Sequence, residues 1–202
     1  MGYAIPGSVI AVGVLIPLAW VDNSLDAFMR ETFGVSTGLL LTGSIAALLF
    51  AYVVRFLAVA YNAVDAGLTK VTPSMDGASR TLGHGLGSTL ARIHAPLLRG
   101  SLLSGALLVF VDVMKELPAT LIVRPFNFET LATRVYRLAA DERLAEASTA
   151  ALAIVVVGVL AFLIYLVATS ARRARQPGSA TGVEAHWVEL ILGLLVLVIA
   201  VG

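Results

Sequence analysis

Hydrophobic residues in this chain fall into long continuous blocks, not into the alternating or one-faced patterns of soluble strands and helices. An α-helix rises 1.5 Å per residue, so crossing a ~30 Å hydrocarbon layer takes about 20 mainly apolar residues. Five stretches approach that length. Residues 3–20 carry no charge, and residues 38–54 carry none and continue past Arg55 to residue 60. Residues 102–123 begin apolar and then take in Asp112, Lys115 and Glu116, which makes a span with polar content. Residues 150–168 are uninterrupted, and residues 187–201, broken by Glu189, are borderline in length. Gly and Pro within these blocks are common in membrane helices and do not count against them. The expected fold class is all-α, a polytopic transmembrane helix bundle of about four to five spans.

Composition agrees with a bilayer as solvent. Of 202 residues, 58% are hydrophobic and 13% charged, against about 25% charged in soluble domains. Mean hydropathy is +0.92. Lys and Arg number 14 and Asp and Glu 13, so there is no basic field for nucleic acid. Cysteine is absent, which excludes disulfides, thiolate metal sites and cysteine catalysis. His84, His94 and His186 are scattered and predict no metal-ligand cluster. No basic residue precedes the first block, so it reads as a span and not as a secretory signal.

Basic residues set the expected orientation. The connection between the second and third spans holds Lys70, Arg80, Arg92 and Arg99, and Arg172, Arg173 and Arg175 fall on the same side in this threading, which makes that side cytoplasmic. The connection over 124–148, with four arginines and four acids, then faces outward. Asp22, Asp26, Arg30 and Glu31 fall between spans one and two. Residues 176–182 form a small polar linker. The domain reading is a transmembrane body over 1–175, followed by a linker and an extra apolar segment over 176–202.

The cytoplasmic connection, about 62–100, is too long for a turn and its apolar residues keep helical spacing. Met75, Ala78 and Leu82 share one face, and Leu86, Leu90, Ile93 and Leu97 another. Two short helices are predicted, capped by Ser74 and Ser88, with Gly83, Gly85 and Gly87 permitting the positive φ of the turn between them and Pro96 ending the second. Such a pair either packs back on the membrane helices or presents an apolar ridge to a partner's groove.

Gly83, followed after nine residues by Ile93-His94-Ala95-Pro96, resembles the signature loop of ABC importer permeases, E-A-A-x-x-x-G, nine residues, I-x-L-P. Gly77-Ala78-Ser79 align with the E-A-A triplet, Asp76 stands one position before it, and Ala95 replaces the Leu. Tyr3-Ala4-Ile5-Pro6-Gly7, Val54-Arg55-Phe56-Leu57-Ala58, Phe110-Val111-Asp112-Val113-Met114-Lys115-Glu116-Leu117-Pro118 and Glu129-Thr130-Leu131-Ala132 resemble the inner-membrane permeases of ferric iron importers. The resemblance runs from about residue 2 to about residue 168. It implies a type I ABC importer permease-like bundle in the bacterial inner membrane, whose loop docks into an ATPase subunit. That docking role is carried to Asp76, Gly77, Ala78, Gly83, Ile93 and Pro96. Implied partners are the ABC ATPase, a periplasmic or surface substrate-binding protein, a second permease half or homodimer, and the lipid bilayer. Family members have six or more core spans, and this chain begins at a helix like the third. It is therefore expected to be truncated or one product of a split gene.

No G-x-x-x-x-G-K-[ST] phosphate loop occurs, so ATP hydrolysis is expected in a separate subunit. Gly83-His84-Gly85-Leu86-Gly87 follows no strand and is not read as a dinucleotide site. No catalytic residues, resident metal site or cofactor are expected in this chain. Asp112, Lys115 and Glu116 are the candidate translocation-path residues. Charge at membrane depth costs roughly 2.5 to 3.5 kcal/mol per residue, so these groups should face protein or water. Asp112 and Lys115 are placed to pair, as a structural lock or as part of the path, and Pro118 should break the helix just after them. The carboxylates of Asp112 and Glu116 are hard ligands suited to ferric iron. Arg55 reads as a snorkelling interfacial anchor. The favoured function is a permease subunit for ferric iron. Alternatives are permeases for thiamine, phosphonate, sulfate or polyamines, a non-transporting scaffold, and an ion-driven carrier, which the long loop disfavours.

Overall fold

The computed structural model describes residues 5–173, and every regular element among them is helical. The elements are α1 (Gly7–Phe33), α2 (Ile45–Leu68), α3 (Pro73–Thr81), α4 (Leu86–Thr89), a π-helical turn (Leu90–His94), α5 (Ala95–Met114), α6 (Pro118–Val123), α7 (Leu131–Ala140) and α8 (Leu144–Arg173). Four helical runs are long and apolar enough to cross a membrane: Gly7–Phe33, Ile45–Leu68, Leu86–Met114 and Leu144–Ser170. The chain is a multi-pass helical membrane protein. The fifth predicted span, residues 187–201, and the linker before it lie outside the described residues.

Three boundaries differ from the sequence expectation, each for a local reason. α1 runs well past Trp20, because Asp22 and Asp26, one turn apart, are used by the helix itself. Asp22 accepts from the backbone N–H groups of Leu40, Leu41 and Thr42, at 2.7 to 3.2 Å. Asp26 accepts from those of Thr37 and Gly38, at 2.8 and 2.9 Å, and pairs with Arg30. The two carboxylates thus satisfy amides of the connection to α2 that would otherwise lack partners. The third span stops at Met114, short of residue 123. Pro118 has no N–H to continue the ladder and restricts the residue before it, so it starts the separate helix α6 instead. Pro96 does not end a helix but lies at the second position of α5. The π-turn before it, in which the Ala95 N–H bonds to the Leu90 carbonyl, gives the proline ring room against the preceding turn.

The described chain divides into two compact units. One comprises residues up to Ala58 with Asp112–Ile154, the other Val59–Val111 with the chain from Val155 onward. The first has a core of Ile10, Ala11 and Val14 from α1, Ala47, Leu48 and Ala51 from α2, and Ala119 and Val123 from α6. Four of these eight are alanines, which let helix backbones approach closely, as membrane helices require. In the second unit α2 and α5 meet through small residues. A β-carbon added to Gly105 would stand 2.6 Å from Cβ of Ala63. α8 joins α5 there through a 2.7 Å hydrogen bond between Tyr165 and Ser104. Large apolar side chains such as Ile16, Leu57, Leu160 and Ile164 are exposed, as suits helices solvated by lipid.

Candidate functional site

The loop of the second unit contains all six predicted docking residues. Asp76, Gly77 and Ala78 lie in α3, whose N-cap is Thr72, with Pro73 at the first helical position. Ser74 is therefore inside the helix, not at its cap. Asp76 sits in the first turn, where a negative charge complements the helix dipole. Gly83 has φ +77°, the left-handed conformation that turns α3 back towards α4. Gly85, with φ −74°, caps α4, and Ser88 lies within that helix. Only the first of the three glycines needed its freedom. Ile93 lies in the π-turn and Pro96 in α5. The second predicted helix is a single turn that continues into α5, so the loop leads straight into a membrane-length helix.

Two contacts hold α3 to this structure. Ser79 and Thr89 bond through their buried hydroxyls at 2.7 Å. Because Thr89 donates its proton to the Gly85 carbonyl, Ser79 is the donor in that bond. His94 Nε2 lies 2.7 Å from Asp76 Oδ1. Between these contacts is a cleft of about 240 Å³, lined by Asp76, Arg80, His84, Thr89 and His94. Leu82 and Leu86 are 75% and 79% exposed, and Leu90 and Met75 are also exposed. The predicted apolar ridge is not packed away within the chain.

The charged residues around Pro118 belong to the first unit. Asp112 and Lys115 pair at 3.3 Å, as expected. Lys115 and Glu116 lie in the link between α5 and α6, and Glu116 turns to Arg55, its Oε2 2.7 Å from Arg55 Nε. Arg55 is thus no snorkelling anchor. It stands in the middle of α2, its Nη1 donates to the Ile5 carbonyl at 3.1 Å, and its side chain is only 16% exposed. An isolated charge at that depth is costly, so arginine and carboxylate are held together. Glu116 also accepts from the Ala119 N–H, capping α6. Thr120 donates to the Glu116 carbonyl, which leaves Tyr52 as donor to the Thr120 oxygen at 2.6 Å. Gly7 closes the cluster: a β-carbon there would lie 2.6 Å from Glu116 Oε1 and 3.0 Å from Arg55 Nη1.

The partners Arg55, Tyr52, Thr120 and Gly7 were not foreseen. Their signal in the sequence is faint, one basic residue in an otherwise apolar block and one acid beside a proline. Among the described residues no group of three or more His, Asp or Glu side chains is placed to hold a metal ion. On the outward-assigned connection, Thr130 caps α7 through a reciprocal capping box with Thr133. Arg137 there pairs with Glu129 at 2.6 Å. The hydrogen bond from Arg137 holds the Glu129 carboxyl below its ordinary range, with smaller help from the charges of Arg137, Arg124 and Arg134.

Comparison with known proteins points the same way as the motifs. The chain is 29% identical over 147 residues, 73% of its length, to the ferric transport system permease protein FbpB 1 of Haemophilus influenzae. It is 27% identical over 164 residues, 79% of its length, to the ferric transport system permease protein FbpB of Actinobacillus pleuropneumoniae. To the Fe(3+)-transport system permease protein FbpB 2 of H. influenzae it is 26% identical over 80% of its length. The matched part is 23%, 23% and 29% of those proteins, so the chain spans about a quarter of the relatives it matches. No protein-family profile matches the chain. The chain is related to ferric transport permeases, and with four membrane-length helices it is a multi-pass inner-membrane protein.

Proposed function

We propose that this chain, as kin of the ferric transport permeases, forms part of the membrane path of an ATP-driven importer for ferric iron. ATP is hydrolysed by a separate ATPase subunit, and the α3 to π-turn loop receives its motion. One observation carries this reading: a short helix with exposed Met75 and, beyond it, exposed Leu82 and Leu86 is joined through a left-handed glycine to a helix that continues into the membrane. Exposed leucines on a loop between membrane helices are suited to a partner's apolar groove. A rigid continuation into α5 is suited to passing displacement on, since packed helices move as units. A substrate-binding protein and a second permease half or second copy complete the assembly. Asp112 remains the candidate path residue, while Glu116, committed to Arg55 and to the α6 amide, serves as a lock.

The reading is tested by solubilising the tagged chain from its native membrane, with and without Gly83→Asp, and identifying what co-purifies. Aspartate in the left-handed conformation and beside the docking ridge should cost about tenfold in ATPase recovery, or about 1.4 kcal/mol. Radio-iron uptake by cells should fall in parallel. Equal ATPase recovery from both samples, or none from either, overturns the docking role.

A further inference from the structure

The loop also contains a contact that the docking surface does not need. His94 projects from the π-turn at the head of α5, and its Nε2 meets Asp76 in the first turn of α3 at 2.7 Å. Its side chain is 19% exposed and that of Asp76 38%. Without this contact α3 would be held to the head of α5 chiefly by Gly83 and the single Ser79 to Thr89 hydrogen bond. A pivot of that kind lets α3 swing. Two attachment points, one on each side of the cleft lined by Arg80, His84 and Thr89, define a direction. The π-turn contributes to this geometry. An extra residue in a helical turn rotates everything before it relative to everything after it, by roughly 100° at 3.6 residues per turn. That rotation sets where His94 points relative to the membrane part of α5.

We infer that His94 is a positioning residue, which fixes α3 to the head of α5 through Asp76 so that a push on α3 moves α5 and is not lost in rotation of the loop. The inference rests on the coupling role proposed above for α3. It assigns His94 no contact with cargo or nucleotide.

The chain has no cysteine, so paired spin labels can be placed at Met75→Cys in α3 and Leu102→Cys in α5 of the full chain in lipid nanodiscs. With His94 present the distance distribution should be narrow. His94→Ala should broaden it, and His94→Gln, which keeps a donor to Asp76, should restore it. In cells, His94→Ala should lower radio-iron uptake about fivefold, a modest coupling effect, with ATPase co-purification unchanged and uptake rescued by His94→Gln. A distance distribution indifferent to His94→Ala overturns the inference. So does a broadened distribution with uptake at the wild-type level. Failure of the coupling reading itself shows separately, as a wild-type chain that neither takes up iron nor retains an ATPase. The spin-label distances then still decide whether His94 positions α3.

Discussion

The cluster around Glu116 and the loop around Asp76 use similar parts to opposite ends. Each joins an acidic side chain to a basic or imidazole nitrogen at 2.7 Å, and each contains a threonine that donates to a backbone carbonyl and accepts from a second hydroxyl. Around Glu116 the polar groups are buried and the space is filled up to Gly7. Around Asp76 the ion pair is partly exposed, a cleft remains, and the leucines beside it are uncovered. The first arrangement is a lock whose members have no alternative partners. The second holds a surface in place while leaving it free for something else. The difference lies in desolvation: the same bond contributes little where water can replace it and a great deal where water cannot.

The largest effect should come from breaking the lock on one side. Glu116→Ala leaves Arg55 buried without its carboxylate, and loss of one partner of a buried pair costs about 3 to 5 kcal/mol. Thermal unfolding of the purified protein should show a large drop in Tm. The double change Arg55→Met with Glu116→Met should recover most of it, because neither charge is then stranded. If the double variant is as unstable as the single one, the pair acts through more than its charges. Uptake measured on a stable double variant then separates the structural lock from any role of these groups in the path.

The corresponding change in the loop should be smaller and local. Ser79→Ala removes the donor to Thr89, a buried hydrogen bond worth about 1 kcal/mol. Amide hydrogen exchange across α3 should accelerate several-fold, with Tm almost unmoved, since a short exposed helix opens without the rest of the chain. A Tm loss as large as that of Glu116→Ala would erase the distinction between lock and loop.

The sequence announces the features that depend on neighbours in the chain. Block hydropathy places the four described membrane-length helices, Gly83 and the spacing to Pro96 mark the loop, and Pro118 marks the break after Met114. It conceals features that depend on distant partners. Arg55 in isolation looks like an interfacial residue, and only Glu116, brought beside it by the turn at Pro118, makes it part of a buried pair. Asp22 and Asp26 look like loop residues because charges ordinarily end a span, whereas here they extend α1 by binding backbone amides of the following connection. Ser74 and Ser88 are acceptable caps by composition, but Pro73 fits the first helical position, which moves the start of α3 back to Thr72. Pro96 is a helix breaker by propensity, and the π-turn that accommodates it leaves no clear trace in the pattern of apolar residues.

The smallest effect is expected where an arginine and a carboxylate meet in the open. Arg137 and Glu129 are bonded as closely as Arg55 and Glu116, but their side chains are 46% and 32% exposed. The bond holds the Glu129 carboxyl below its ordinary range in the folded protein, so folding favours the ionised form. Its contribution is complete at pH above the ordinary carboxylate value and fades as pH falls through the lower folded one. Tm of the wild-type chain and of Glu129→Gln should therefore differ slightly near neutral pH and converge on acidification. Added salt should shrink the difference at neutral pH, because exposed charges are screened. A difference comparable to that of Glu116→Ala would mean that α7 is covered in the assembled protein, and that its arginines belong with the buried lock and not with the solvent-facing surface.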